Sequence, residues 1–246
     1  MLKGEERRSV IHRFLLSHTK RRILQRMPQR KEYPADGGCF MVVNSSNQIR
    51  SAIEIRDGDR GEDQAGVFRC SSRIVLAVAD GAGGTGSGAF AANALMEEAQ
   101  ALANQERKSP AAALMESEQA MYGLGGQAAG IILEIANHTI RGASVGDSEC
   151  WWLVDGGFVD LTAGQARKPL LGDGATPVAF GPFPAVGRLL LATDGLFNYA
   201  DIDHIIEIAS GSDIEEAARR LADLPRLPNG EWPDDLGLIL IDMESS

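Results

Sequence analysis

The amino-acid sequence predicts an α+β domain, in which helices are segregated from mainly antiparallel sheets. Hydrophobic patterns typical of strands, two helices, strands, helices and one last strand follow one another along the chain, instead of alternating one by one. Two of the apolar runs end in Asp-Gly, at Asp80 and Asp194, as strands do where they meet a loop. The 246 residues, of which 44% are hydrophobic, suffice for one large domain.

The first residues of the chain differ from the rest in charge. Residues 1–31 contain ten Lys or Arg and two Glu, a net charge of +8, whereas residues 32–246 carry −18. Apolar residues within this head recur at a helical spacing, which predicts a basic amphipathic helix. We therefore divide the chain into a basic helical segment with its linker, residues 1–35, and a domain over 36–246. The helix could pack on its own acidic domain, dock on a partner or bind an anionic membrane surface.

The elements of the domain follow from local patterns. Short apolar or alternating runs bounded by turn residues predict strands at 39–44, 49–55 and 66–80, several strands within 128–162 with a hairpin at 154–159, and strands at 188–195 and 236–243. Helical spacing predicts helices at 88–107, 109–122, 201–210 and 212–224. Ser109 before Pro110 is typical of a helix start, and Ser212 with Glu215 forms a predicted capping box.

Composition argues against several classes of protein. An acidic body repels nucleic-acid backbones, so no nucleic-acid partner is expected. No apolar run reaches the ~18 residues of a transmembrane helix, and the apolar segment 10–16 is too short and too interrupted for a secretory signal. Three widely spaced cysteines fit neither a disulfide framework nor a zinc site. We expect a cytoplasmic protein with reduced thiols.

Carboxylates recur at the ends of the predicted strands. If they cluster they repel one another, and a hard divalent cation such as Mg²⁺ or Mn²⁺ would compensate that repulsion. Five glycines follow Asp80 within eight residues, which is more than a turn needs and which lets a bound oxygen approach closely. A solvated Asp-Gly turn explains any one of these sites, but it explains the whole set poorly. The set comprises Glu62, Asp63, Asp80, Asp147, Asp194, Asp234 and Asp235.

The motifs GEDQAGVF, VADGAGG, VGDSECWW, ATDGLF and DDLGLILI, in this order, resemble those of the metal-dependent serine/threonine protein phosphatases of type 2C, the PPM family, in its bacterial form. The resemblance extends from about Arg60 to Met243. It implies a four-layer α/β/β/α sandwich of two mainly antiparallel sheets flanked by helical pairs. It also implies a two-metal site at one end of the sandwich and the hydrolysis of phosphoserine or phosphothreonine in proteins.

The resemblance also implies roles for individual residues. Asp80 matches the aspartate that bridges the two metals, and Gly81 matches a ligand through its backbone carbonyl. Asp194 and Asp234 match the remaining ligands of one metal. These three aspartates are therefore the predicted catalytic residues.

The other matched carboxylates complete the expected metal set. Glu62 and Asp63 match the acidic pair that holds the second metal directly or through water, and Asp147 matches a residue that helps Asp194 hold a weaker third metal. The expected cofactors are thus two Mn²⁺ or Mg²⁺ ions and a weaker third. Two cations about 3.5–4 Å apart can lower the pKa of a shared water and hold phosphoryl oxygens for in-line attack. This agrees with a sequence that offers no convincing pair of nucleophile and base.

The sequence departs from the family pattern at the phosphate-binding arginine. Members of the family usually place that arginine four residues before the motif glutamate, and here the position is Gly58. Arg56 and Arg60 lie two residues to either side, and either could bind the phosphate.

Three further departures concern the surroundings of the site. Ala82 stands where many eukaryotic members have a proposed proton-donating histidine, and Gly237 stands where Ser or Thr is common. The interval between Ser148 and Asp194 is short, which implies a reduced flap subdomain.

The sequence supports a protein phosphatase that acts on phosphoproteins as a monomer, with a kinase or another signalling protein as a further partner. The alternative is a non-catalytic domain of the same type that binds a phosphoprotein or a regulator, and the missing arginine favours it. A third hypothesis assigns function to the basic head alone. It predicts that deletion of residues 1–31 abolishes function whereas changes at the metal site do not.

Overall fold

A computed structural model describes residues 49–58, 60–70, 73–83, 87–104, 108–154 and 157–243. The basic segment 1–35 and the strand predicted at 39–44 lie outside these residues, so both stay predictions.

The described chain forms ten strands and five helices. The strands are β1 (Ile49–Arg56), β2 (Gln64–Cys70), β3 (Arg73–Ala82), β4 (Gln127–Ala136), β5 (Thr139–Val145), β6 (Glu149–Val154), β7 (Gly157–Asp160), β8 (Val178–Pro184), β9 (Gly187–Ala192) and β10 (Leu236–Met243). The helices are α1 (Ser87–Ala103), α2 (Pro110–Met121), α3 (Asp194–Phe197), α4 (Ile202–Ala209) and α5 (Ile214–Asp223). Within the described ranges, no helix combines the length and the hydropathy that crossing a membrane requires.

The strands form two antiparallel sheets of five strands each. The first sheet has the order β1-β10-β9-β6-β7 and the second has the order β2-β3-β4-β5-β8. In the first sheet β10 pairs with β1 on one side and with β9 on the other, so that a strand from the end of the chain lies near the middle of the sheet. The predicted hairpin at 154–159 is confirmed by the pairing of β6 with β7.

Three buried clusters show that the molecule has four layers. Alternate side chains of β3 point to opposite faces, as a strand requires: Val75 and Ala77 pack with α1 and α2, whereas Leu76 and Val78 pack against the other sheet. In the same way, Leu238 of β10 packs with α3, α4 and α5, whereas Ile239 and Ile241 pack between the two sheets. The predicted α/β/β/α sandwich with helical pairs on its outer faces is confirmed.

Local chemistry sets the helix starts. Ser109 caps α2, because its side chain accepts a hydrogen bond from the backbone N–H of Ala112 and Pro110 follows it, as predicted. The predicted capping box of α5 is wrong by one residue. Asp213, and not Ser212, is the N-cap, and its carboxylate accepts from the N–H of Glu216 at 2.8 Å.

Candidate metal centre

Three aspartates from both sheets converge at one end of the sandwich. Asp80 lies near the end of β3, Asp147 follows β5 and Asp194 follows β9. One oxygen of each carboxylate lies within 4.8 Å of the others. In the parts of the chain that the structure describes, this is the one such group of three metal-ligating side chains. We call these three residues the carboxylate cluster.

Glycine and backbone contacts place the members of the cluster. Gly146, just before Asp147, has φ of +91°, and a Cβ atom there would lie 2.4 Å from the Cβ of Ala129. Only glycine therefore allows this turn to pack on β4. Asp194 begins α3, and its Oδ2 accepts a hydrogen bond from Nδ2 of Asn198 at 2.8 Å. The turn that carries Asp147 and the carboxylate of Asp194 are thus positioned by contacts within the protein.

Glu62 lies beside this end of the sandwich in a cradle of glycines. Its side chain is buried and its Oε2 atom has no hydrogen-bond partner. A Cβ at Gly88 would lie 2.5 Å from that oxygen, and a Cβ at Gly81 would lie 2.9 Å from the Glu62 carbonyl oxygen. The glycines after Asp80 thus make room for the glutamate. A buried carboxylate oxygen without a partner is suited to a cation.

Asp235, which the sequence reasoning counted among the clustered carboxylates without giving it a role of its own, fixes the loop that leads to Glu62. Its Oδ1 accepts from the backbone N–H of Gly58 at 2.7 Å, and its Oδ2 accepts from the N–H of Glu62 at 2.8 Å. Burial would raise the pKa of Asp235, but these and neighbouring backbone hydrogen bonds outweigh burial and hold the pKa below its usual value. The adjacent Asp234 is half-buried, and its charge acts on both Asp80 and Asp194.

The protein environment disfavours negative charge at this end of the sandwich. Burial, followed by the charges of Asp194, Asp147, Asp234 and Asp235, raises the pKa of Asp80 to about 7. Several carboxylates close together in a partly buried site thus destabilise the ionised form, and bound cations would offset this repulsion.

Burial and neighbouring carboxylates also raise the pKa values of Asp63 and Asp194. Burial and the charge of Asp80 raise the pKa of Asp63 to about 8, against a hydrogen bond with Thr193 that lowers it. The pKa of Asp194 is raised by burial and by Asp147 and Asp234. Burial and neighbouring negative charge thus shift all three carboxyl groups toward the protonated form, and a bound cation would offset this shift.

The structure separates the two arginines that the sequence left as alternatives. Arg56 is tied to the outer face of the first sheet: it pairs with Glu54 at 2.6 Å and Asp223 at 3.5 Å, and its guanidinium lies 5.6 Å from the ring centre of Trp232. Arg60 has an exposed side chain whose Nη1 lies 3.9 Å from the buried Oε2 of Glu62. Of the two, Arg60 is the one beside the expected metal ligands.

The backbone explains why no arginine stands at residue 58. A Cβ atom at Gly58 would lie 2.4 Å from the carbonyl carbon of Asp234. The two loops therefore pack backbone to backbone, and any side chain at this residue would force them apart.

Two further polar residues near the centre escaped the sequence reasoning. Arg167, in the segment between β7 and β8, donates two hydrogen bonds to Oδ2 of Asp147, from Nη2 at 2.7 Å and from Nε at 3.1 Å. The Thr193 hydroxyl accepts from the N–H of Gly237 at 2.9 Å, at the residue where the family commonly has Ser or Thr. Neither contact has a signal in the sequence. The contact of Asn198 with Asp194 does have one, because residues four apart lie on the same face of a helix.

Histidine does not contribute to this end of the described molecule. His138 lies in the two-residue turn between β4 and β5, with φ of +58°. That turn is at the opposite end of β5 from Asp147. His204 is exposed on α4.

Comparison with known proteins gives the fold a name. No protein-family model matches the sequence, and no curated protein matches it. Among solved structures, the catalytic domain of the serine/threonine protein phosphatase PstP, in complex with two manganese ions, superposes with a TM-score of 0.69 at 21% identity, over 81% of this chain and 100% of that one. The chain has the fold of the PPM-type serine/threonine phosphatases.

Two more structures with the PPM fold match at similar levels. The S. agalactiae serine/threonine phosphatase gives a TM-score of 0.68 at 16% identity and covers 79% of this chain and 99% of its own. The PPM Ser-Thr phosphatase MsPP from Mycobacterium smegmatis, in complex with cacodylate, gives 0.65 at 22% identity and covers 78% and 97%. The PPM fold inferred from five short motifs is therefore confirmed, although identity is low throughout.

Proposed function

We propose that this protein is a metal-dependent protein-serine/threonine phosphatase, which hydrolyses phosphoserine and phosphothreonine with a water molecule activated at a two-metal centre. One observation carries the proposal. Asp80, Asp147 and Asp194, located at the ends of separate strands of two sheets, each bring one carboxylate oxygen within 4.8 Å of the others in a domain with the PPM fold. A stable fold has no need to gather three carboxylates at the cost of their mutual repulsion, whereas binding divalent cations does require it.

The residues present fit such cations. The buried Glu62 Oε2 has no hydrogen-bond partner, and glycines leave space around it. The proposed ligands of the two ions are carboxylates and one backbone carbonyl, all of them hard oxygen donors: Glu62, Asp63, Asp80, Gly81, Asp194 and Asp234. A weaker third ion at Asp147 and Asp194, and the choice between Mg²⁺ and Mn²⁺, remain predictions. When bound, the ions would lower the pKa of water and attract the phosphoryl oxygens.

The chain's own groups would orient this centre. Asn198 holds one oxygen of Asp194, and Asp235 holds the loop that ends in Glu62. Arg60, beside Glu62, would bind a phosphoryl oxygen. It would replace the usual arginine of the family, for which there is no space at residue 58. No histidine of the described residues is near, and the proton for the leaving serine or threonine would come from water or another acid.

The cellular location and the partners of the protein are also proposed. We expect a cytoplasmic monomer whose partners are phosphoproteins and a kinase or another signalling protein, with the catalytic unit in 36–246 and the basic segment 1–35 outside it.

A hydrolysis assay tests this function. Full-length protein is dialysed against EDTA and assayed on p-nitrophenyl phosphate and on a phosphothreonine peptide, with Mn²⁺, Mg²⁺ or chelator. Hydrolysis is expected only with added metal, and it should persist with okadaic-type inhibitors of other phosphatase classes. Full activity in excess EDTA, or none with either metal, would overturn the proposal.

One observation favours a second function, a non-catalytic domain that binds a phosphoprotein. The loop of Gly58 packs directly on the backbone of Asp234, so the usual arginine has no place there. A domain without hydrolysis would still bind a phosphopeptide in a metal-dependent way. Binding of the phosphothreonine peptide without turnover would select this alternative.

A further inference from the structure

Arg167 lies at the rim of the carboxylate cluster. Two of its N–H groups bond to the same oxygen of Asp147, yet its side chain is 73% exposed, against 25% for Asp147. The pKa of Arg167 is raised first by this hydrogen bond and then by the charges of Asp147, Asp194 and Glu149. The guanidinium therefore sits on the solvent side of the site, within the field of the cluster.

The segment that carries Arg167 is fastened beside Asp147. Nε2 of Gln165 donates to the carbonyl oxygen of Ser148 at 2.6 Å, and the N–H of Gln165 bonds to the carbonyl of Thr162 at 2.9 Å. The Thr162 hydroxyl in turn accepts from the N–H of Cys150 at 3.2 Å. These hydrogen bonds attach the segment 162–165 to Ser148 and Cys150, at the start of β6 and just after Asp147. They therefore fix the backbone that places Arg167 beside the cluster.

Arg167 retains donors for a ligand. A guanidinium has five N–H groups, and two of them are used on Asp147. Asp147 is its one hydrogen-bond partner among the described residues. The three remaining N–H groups suit a phosphoryl group, which arginine binds through paired hydrogen bonds.

The two arginines that the sequence offered for phosphate binding, Arg56 and Arg60, do not occupy the side of the cluster where Arg167 lies. Arg56 is held on the outer face by Glu54, Asp223 and Trp232. Arg60 faces Glu62. Arg167 faces Asp147, so it can bind an oxygen that Arg60 does not.

We propose that Arg167 binds a non-bridging oxygen of the substrate's phosphoryl group and that Asp147 orients its guanidinium. This inference rests on the proposed phosphatase function. It gives Asp147 the part of a positioning residue, and it places a side-chain cation where the sequence predicted a weaker third metal ion.

Kinetics and phosphate binding of Arg167 variants test the inference on full-length protein with saturating Mn²⁺. Arg167→Met should raise KM for the phosphothreonine peptide, and the Kd for inorganic phosphate measured by calorimetry, by about 10- to 100-fold, as expected for hydrogen bonds to a charged group. Arg167→Lys should restore part of this loss, because it keeps the charge without the paired donors. The matched control is Arg219→Met, since Arg219, on the exposed side of α5, also bonds through Nε and Nη2 to a single carboxylate oxygen, that of Glu216. It should leave both constants unchanged.

A double-mutant cycle separates positioning from metal binding. If Asp147 acts through Arg167, Asp147→Ala should weaken phosphate binding in the wild-type background and add little in the Arg167→Met background. Equal effects in both backgrounds, with an equal shift in the Mn²⁺ concentration for half-maximal rate, would overturn the role of Asp147. Wild-type constants in Arg167→Met would overturn the role of Arg167 while leaving the phosphatase proposal intact. No hydrolysis by the wild type with any metal would instead count against the proposed function, and calorimetry with phosphate would still report on Arg167.

Discussion

Oδ2 of Asp235 accepts a hydrogen bond from the backbone N–H of Glu62 at 2.8 Å, which ties the residue before β10 to the loop before β2. Through Gly58, the other oxygen holds the beginning of the same loop at 2.7 Å. One buried side chain thus sets the position of a proposed metal ligand that is distant in sequence. Its importance is structural, and it is measurable separately from catalysis.

Replacement of Asp235 by Ala should destabilise the protein and weaken metal binding together. The N–H groups of Gly58 and Glu62 would lose their acceptor, and a buried unsatisfied donor costs about 1–3 kcal/mol. We expect the free energy of unfolding in urea to fall by about 2–4 kcal/mol, and the Mn²⁺ concentration for half-maximal rate to rise. Asp235→Asn, which keeps one acceptor oxygen, should lose less. Asp173→Ala, an exposed aspartate in a turn, serves as the control, and an equal loss in it would refute the anchoring role.

Replacement of Asp80 or Asp194 by Ala should remove activity without removing the fold. As proposed direct ligands they should lower turnover by several orders of magnitude, because the centre loses a bridging or terminal oxygen. The apo proteins should melt no lower than wild type, since one source of repulsion is gone. The increase in Tm on adding Mn²⁺ should shrink or vanish. Near-wild-type turnover in either variant would rule out its assignment as a ligand.

Asn198→Ala tests the support behind a ligand. The change frees Oδ2 of Asp194 from its hydrogen-bond donor, and loss of such a supporting contact typically costs about 10- to 100-fold in metal affinity. Turnover at saturating Mn²⁺ should stay close to wild type. Asn104→Ala is a suitable control, because Asn104 also donates its side-chain amide to an oxygen four residues away, the carbonyl of Gln100. A metal affinity that is identical in wild type and Asn198→Ala would contradict the orienting role.

The fold was more accessible to sequence reasoning than the contacts within the site. Asp80 and Asp194 stood out because Asp-Gly at the end of an apolar run is a local pattern, and the apolar run at 236–243 predicted the strand that became β10. Asp235 and Arg167 carry no such local pattern. Asp235 acts on backbone N–H groups more than 170 residues away, and Arg167 reaches Asp147 across 20 residues of chain. Such contacts follow from tertiary packing and not from residue order.

The two alternative arginines should separate in kinetics. Arg60→Met should raise KM for the phosphothreonine peptide by about tenfold, because it removes a charged donor beside Glu62. It should hardly affect stability, since the side chain is exposed. Arg56→Met should do the reverse: it loses ion pairs and the contact with the Trp232 ring, so Tm should fall while KM stays constant. The opposite pattern would assign phosphate binding to Arg56.

The stability of the metal-free protein should decrease as pH rises from about 5 to 8. In the folded protein the pKa of Asp80 is raised to about 7 and that of Asp63 to about 8, from 3.8. The folded state therefore keeps protons that the unfolded chain has already lost above about pH 4. The stabilisation present below that pH is lost as pH rises through 7 and 8. The lowered pKa of Asp235 acts oppositely, but its contribution is complete before pH 5 and leaves this range unaffected.

Urea denaturation in EDTA at pH 5, 6, 7 and 8 measures this slope. Each unit of pKa corresponds to about 1.4 kcal/mol, so the total decrease should be a few kcal/mol. Asp80→Asn should flatten the curve, because it removes one titrating group and lowers the pKa of Asp63, which the charge of Asp80 now raises. Saturating Mn²⁺ should reverse the slope, since the cations displace the protons and bind better as pH rises. If the stability of the metal-free wild type instead increases between pH 5 and 8, these carboxyl groups are ionised in the fold and the electrostatic argument for the centre fails.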